Sequence, residues 1–337
     1  MIDIFIKGLF GLVPALIYLM ALVLMDSYKL VKLQSVVLAV VAGFVALIVC
    51  KYLNGFLMDV THLNLERFSR YVAPFTEESA KVTYLVVLIG SRRIGFMVDA
   101  AILGFAVGAG FGILENIFYL SMIPDANLFT WVLRGCGTAL MHGSTTAIFG
   151  VVSHSWCERN ESTALHLFLP GLGLAILLHS AYNHFFVTPW MTALGLVIGV
   201  PLISITVYQQ SERALEKWLG LGFDTDAEML AIINRGKVSE TRVGKYLVSL
   251  KDRFPPEVVA DMFCLLRLQV ELAIHAKGVL LMRKEGFNTP FATDVNDKLK
   301  ELEYLEKSIG HTGRLAIMPF LQRSRKNPWQ KHLLKRG

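Results

Sequence analysis

Charge is scarce in this chain. Of its 337 residues only 18% are Asp, Glu, Lys or Arg, 54% are apolar and the mean hydropathy is +0.50, a balance that excludes an ordinary soluble domain and leaves a membrane protein. Cysteine is as sparse: Cys50, Cys136, Cys157 and Cys264 are scattered, with no close pair. That spacing supports neither a disulfide framework nor a cysteine zinc site. A small-residue cleavage site is missing after the first apolar stretch, and only Lys7 precedes it. The stretch therefore reads as a retained first span, not a removed signal peptide. Nucleic-acid motifs are also absent, which matters because the net charge is +6. Residues 1–210 carry 11 Lys/Arg against 11 Asp/Glu, leaving 22 against 16 of the totals 33 and 27 for residues 211–337. The whole basic excess thus comes after the last apolar segment, where it suits an anionic membrane surface and not nucleic acid.

What the chain does have is long apolar runs. A spanning helix needs about 20 mostly apolar residues, and seven stretches meet or approach this: residues 5–25, 33–50, 75–91, 95–121, 131–153, 165–187 and 190–209. Between the second and third, Leu53, Phe56, Leu57, Val60 and Leu63 recur at helical spacing beside Asn54, Asp59, His62 and Glu66, the pattern of an amphipathic helix at the interface. The expected fold is all-α: a transmembrane helix bundle over residues 1–210, then a soluble basic helical domain over residues 211–337. Helices are expected there at 224–236, 239–254, 256–286 and 294–309 from their start and stop signals. If the spans alternate, Lys29, Lys32, Arg92, Arg93, Arg159 and the basic tail share one side, and Lys51, Arg67, Arg70 and Arg134 the other. The richer side is the cytoplasmic one, so the C-terminus is expected in the cytoplasm of a cell with the bundle in its plasma membrane.

Against this apolar background a few polar residues stand out. Pro74-Phe75-Thr76-Glu77-Glu78-Ser79-Ala80-Lys81 opens the third span with two carboxylates and an ammonium. Charges inside a bilayer cost on the order of 2.5–3.5 kcal/mol each and mark functional sites, although a helix start after proline also favours acids in its first turn. The fourth span carries Glu115 and Asn116 one turn beyond a stripe of Gly104, Gly108 and Gly112, which permits close approach of a neighbouring helix. The fifth carries His142 among small residues, and the sixth carries His179 and Asn183 on one face. At about 1.5 Å per residue, Glu78 lies roughly 5 Å, Glu115 roughly 9 Å, His179 roughly 12 Å and His142 roughly 17 Å from the same membrane face. Four ionisable residues on four spans in one leaflet point to a single polar site.

Two chemistries fit such a set. Glu77 or Glu78 can act as general base and proton carrier while His142, His179 and an amide polarise a carbonyl. Alternatively Glu78, Glu115, His142 and His179 can ligate zinc with a position left open for water. Either hydrolyses an amide. Because adjacent helical residues diverge by about 100°, Glu77 and Glu78 should differ in role, one facing the water or metal and one orienting Lys81. A proton or ion carrier, or a membrane scaffold, is the rival reading, but a carrier needs polarity reaching both faces.

The combination Glu77-Glu78-x-x-Lys81, Phe111 to Asn116 with Glu115-Asn116, His142, and His179-x-x-x-Asn183 resembles the PrsW family of intramembrane proteases, relatives of the type II CAAX prenyl endopeptidases and the bacteriocin-immunity membrane proteins. The resemblance covers about residues 74–187. It implies a multi-helix peptidase that cleaves a membrane-anchored protein, in PrsW itself an anti-sigma factor cut outside the membrane. It also implies catalytic roles for Glu77, Glu78, Glu115, His142 and His179, with Lys81, Asn116 and Asn183 in support. The family is called metalloprotease while its CAAX relatives are argued to be glutamate-dependent, so both zinc and metal-free hydrolysis remain open. Lys81 and Glu115 stand where the CAAX enzymes have arginine and histidine, which speaks against prenylated substrates.

Overall fold

The structure is a computed structural model, and it describes residues 2–235, 238–287 and 295–325. The chain divides into two compact units, Met1–Ser211 and Glu212–Gly337. The first is built from helices α1 (Ile2–Leu24), α2 (Leu33–Thr61), α3 (Ala73–Gly90), α4 (Met97–Met122), α5 (Leu140–Arg159), α6 (Leu169–Asn183) and the start of α7 (Pro189–Asn234). No strand occurs among the described residues.

α4 is the centre of this unit. It is buried on nearly every side, whereas α1, α2, α6 and α7 expose apolar faces to the lipid. Small residues explain the difference. A Cβ on Gly108 would collide with the His142 carbonyl of α5, and one on Gly110 with the Val40 carbonyl of α2. Glycine therefore lets two neighbouring backbones close on opposite faces of α4 at once.

Among the described residues, five helical segments are long and apolar enough to span by themselves: Ile2–Leu24, Leu33–Thr61, Met97–Met122, Leu165–Asn183 and Pro189–Arg213. α3 and α5, which complete the bundle, are less apolar because they carry the buried polar residues Thr76, Glu78, Lys81, His142 and Thr145. The stretch after Cys50 differs from the interfacial helix expected there. Residues 51–61 simply continue α2, which ends where His62 turns into the left-handed region at φ 52°. A helical span propagates past the lipid boundary unless something breaks it, since each added residue gains a backbone hydrogen bond.

Two π-helical turns, Phe68–Val72 and Arg134–Ala139, lead directly into α3 and α5. Such turns shift the phase of the helix they lead into and free carbonyls from the helical ladder.

The second unit contains α8 (Arg242–Ser249), α9 (Pro256–Lys284), α10 (Val295–Ser308) and α11 (Gly310–Arg325). α9 begins on Pro256 and runs to Lys284, as a proline at N1 prescribes. The helix expected to start at Asp224 has no start of its own, since Asp224 lies inside α7. The basic run that closes the chain falls largely outside the described residues.

Candidate active site

Pro74 lies in the first turn of α3, which continues the π-helical turn before it, and the helix places Glu78 and Lys81 three residues apart on its buried face. Both are fully enclosed, and Lys81 Nζ donates to Glu78 Oε1 at 2.6 Å. The same oxygen accepts from Thr145 Oγ1 at 3.2 Å and lies 2.7 Å from His179 Nδ1. A buried ion pair survives only when further hydrogen bonds satisfy it, and here α5 and α6 supply them. Glu78 Oε2, by contrast, is buried without a hydrogen-bond partner among the described residues.

The ring nitrogens are differentiated by their partners. Lys81 has only donors, so its bond to His142 Nδ1, at 3.0 Å, makes that nitrogen the acceptor and puts the ring proton on Nε2. Nε2 points to Glu115 Oε2, 3.4 Å away. His179 is the reverse case. Its Nδ1 donates to the Glu78 carboxylate, which leaves the Nε2 lone pair free, 3.9 Å from Glu77 Oε2. The two imidazoles meet edge to face, with centroids 4.9 Å apart.

Glu77, one helical step from Glu78, turns to a different environment. Its side chain keeps 14% exposure. Asn54 Nδ2 of α2 donates to its Oε1 at 3.3 Å, and Asn54 is itself oriented by Thr76 Oγ1, which donates to its Oδ1 at 2.6 Å. The opposite wall is ionic. Arg134 Nη2 donates to Glu115 Oε2 at 3.0 Å and its Nε to Asn116 Oδ1 at 2.8 Å.

Glu77, Glu78, Lys81, Glu115, His142 and His179 thus form one contiguous cluster. Asn116 and Asn183 lie outside it. Asn116 Nδ2 donates to the Gly11 carbonyl at 2.7 Å, tying α4 to α1. Asn183 Nδ2 donates to Ser69 O at 2.8 Å, and Ser180 Oγ to Arg70 O at 2.7 Å. Their acceptors are carbonyls of the π-helical turn that precedes α3, so α6 fixes the entry of the helix bearing both glutamates. Asn54, Thr145 and Arg134 do not stand out as site residues in the sequence. Thr145 carries a signal, because it lies one turn from His142. Asn54 and Arg134 carry none, since one belongs to an interfacial pattern and the other to a loop charge count.

Residues 30–207, more than half of the chain, match the model of the PrsW family of intramembrane metalloproteases. The chain belongs to that family. No curated protein and no solved structure matches it.

Membership of the PrsW family raises the question whether these side chains suit a metal. Glu77, His142 and His179 each offer one ligand atom, all within 4.8 Å of one another, the His2Glu donor set that zinc accepts. Glu77 and His179 Nε2 are ready donors, and the Glu78 carboxylate behind His179 Nδ1 is the outer partner that metal-bound imidazoles have. His142 would offer Nε2 in its other neutral tautomer, with the proton on Nδ1 and the bonds to Lys81 and Glu115 given up. Three carboxylates face two cations, Lys81 and Arg134. With neutral imidazoles this leaves one negative charge, and a cation offsets it. The orphaned Glu78 Oε2 adds a further acceptor. Compared with the set expected from the sequence, the compact triplet includes Glu77, while Glu78 and Glu115 each hold one of its imidazoles.

Proposed function

We propose that this intramembrane protease hydrolyses a peptide bond of a membrane-anchored protein, near the outer face of the membrane. The observation that carries the reading is the division between the paired glutamates. Glu78 is locked by Lys81, Thr145 and His179, whereas Glu77 keeps a partly exposed carboxylate opposite the free Nε2 of His179.

In this reading Glu77 is the general base. It takes a proton from the attacking water and later delivers it to the departing amine. Asn54 keeps the carboxylate aimed, and His179 Nε2 accepts a hydrogen from the same water. His142 Nε2–H, whose contact with Glu115 Oε2 is long at 3.4 Å, turns from that carboxylate to the developing oxyanion as it forms, with Lys81 behind its Nδ1. Asn116 and Asn183 hold backbone. Zinc, held by Glu77, His142 and His179, would supply a Lewis acid and a more acidic water. The unit after Ser211 serves as a cytoplasmic helical scaffold, and the bundle resides in the plasma membrane. Its partners are the lipid bilayer and the anchored substrate.

The test uses full-length protein in liposomes with a pool of single-span reporters whose juxtamembrane segments are randomised, cleavage being read by mass spectrometry. Wild type should cut a subset of reporters and Glu77→Gln none; full activity of Glu77→Gln refutes the assignment. Chelation and then zinc readdition, with metal content measured on the same preparation, separates zinc-assisted from metal-free hydrolysis.

A further inference from the structure

We infer that Arg134 is a positioning residue for hydrolysis, acting through Glu115 on His142; this rests on the peptidase reading above. The guanidinium is held at three points. Nη2 donates to Glu115 Oε2 at 3.0 Å, Nε donates to Asn116 Oδ1 at 2.8 Å, and the planar group stacks 3.8 Å from the centroid of Tyr119. Asn116 is in turn anchored on the Gly11 carbonyl. Arginine suits this place because its fork and flat face engage two acceptors and a ring together, which an ammonium cannot do.

The decisive detail is which carboxylate oxygen Arg134 engages. Glu115 Oε2 is the oxygen that also faces His142 Nε2. The direction of Arg134 therefore sets where the imidazole's acceptor lies. Arg134 also opens the π-helical turn that runs through Ala139 into α5, the helix bearing His142. One short segment consequently delivers the histidine and locks its carboxylate partner. A surface ion pair of two mobile chains would do neither, since such pairs are worth little and hold no fixed geometry. Here the arginine and glutamate side chains are only 16% and 19% exposed.

A purely structural strap and a positioning group differ in a double-mutant cycle. Arg134→Met, Glu115→Gln and the double variant are reconstituted in liposomes with the randomised reporter pool, alongside Arg134→Lys and Arg134→Ala. Positioning predicts that Arg134→Met lowers kcat about tenfold or more with KM within about twofold, and that adding it to Glu115→Gln has no further effect beyond about twofold. Arg134→Lys should retain an intermediate rate, and ethylguanidinium should restore part of the kcat of Arg134→Ala without restoring that of Glu115→Gln. Losses that multiply across the two positions, a change confined to KM, or wild-type kcat in Arg134→Met overturn the inference while leaving the peptidase reading intact. A wild-type protein that cleaves no reporter overturns both.

Discussion

Replacing each paired glutamate with glutamine should separate stability from catalysis. Glu78→Gln removes the carboxylate from a fully enclosed pair with Lys81 and leaves the buried ammonium without the carboxylate it is bonded to. Breaking a buried pair in this way costs about 3–5 kcal/mol. At about 2–4 °C per kcal/mol for a domain of this size, the unfolding midpoint should drop on the order of 10 °C. Glu77→Gln keeps the shape of the side chain and disturbs one 3.3 Å bond from Asn54, a change worth about 1 kcal/mol or less. Both variants should be inactive, but only Glu78→Gln should be thermally fragile. The control is Glu78→Gln combined with Lys81→Met, which removes both charges and should recover most of the lost stability without recovering activity. The assay is thermal unfolding of purified protein in detergent, paired with reporter cleavage. Equal midpoints for the two single variants, or no recovery in the double variant, would refute the division of roles.

The same geometry predicts other outcomes. Gly108→Ala should prevent normal accumulation, because its Cβ collides with the His142 carbonyl; wild-type abundance in the membrane fraction would contradict the α4–α5 packing. Asn54→Ala frees one side of Glu77 and should lower kcat several-fold with an unfolding midpoint close to wild type, since a single hydrogen bond contributes about 1 kcal/mol. A reporter fused at Gly337 should score cytoplasmic, and an external score inverts the proposed orientation. Asn183→Asp loses the donor to Ser69 O, so it should impair cleavage more than Asn183→Gln does if the turn before α3 must be held.

Much of the bundle is legible in the sequence because a bilayer admits few solutions. Apolar length alone locates α1, α2, α4, α6 and α7, since lipid-exposed backbone must satisfy its own hydrogen bonds. Two of the helices carrying the site are harder to read. α3 and α5 dilute their apolar character with Glu78, Lys81, His142 and Thr145. The continuation of α2 through residue 61 escapes a sequence reading because an amphipathic pattern looks the same whether a helix lies on the membrane or projects from it. The polar residues of the cluster are visible as exceptions to composition. Asn54 and Arg134 are not, because polar residues near a membrane face are unexceptional.

By itself, the sequence determined the class of molecule, the most apolar helices, the glycine stripe and the acidic, basic and imidazole groups available for chemistry. Adjacent residues on a helix must diverge by about 100°, so it also required Glu77 and Glu78 to face different surroundings. Which of them turns inward was decided only in three dimensions, by the π-helical turn that sets the phase of α3 and by the closeness of α5 to the glycines of α4. The proton positions on His142 and His179 have the same origin: a lysine, two carboxylates and two rings brought together from four separate helices fix one another's hydrogens, and no local stretch of chain contains that information.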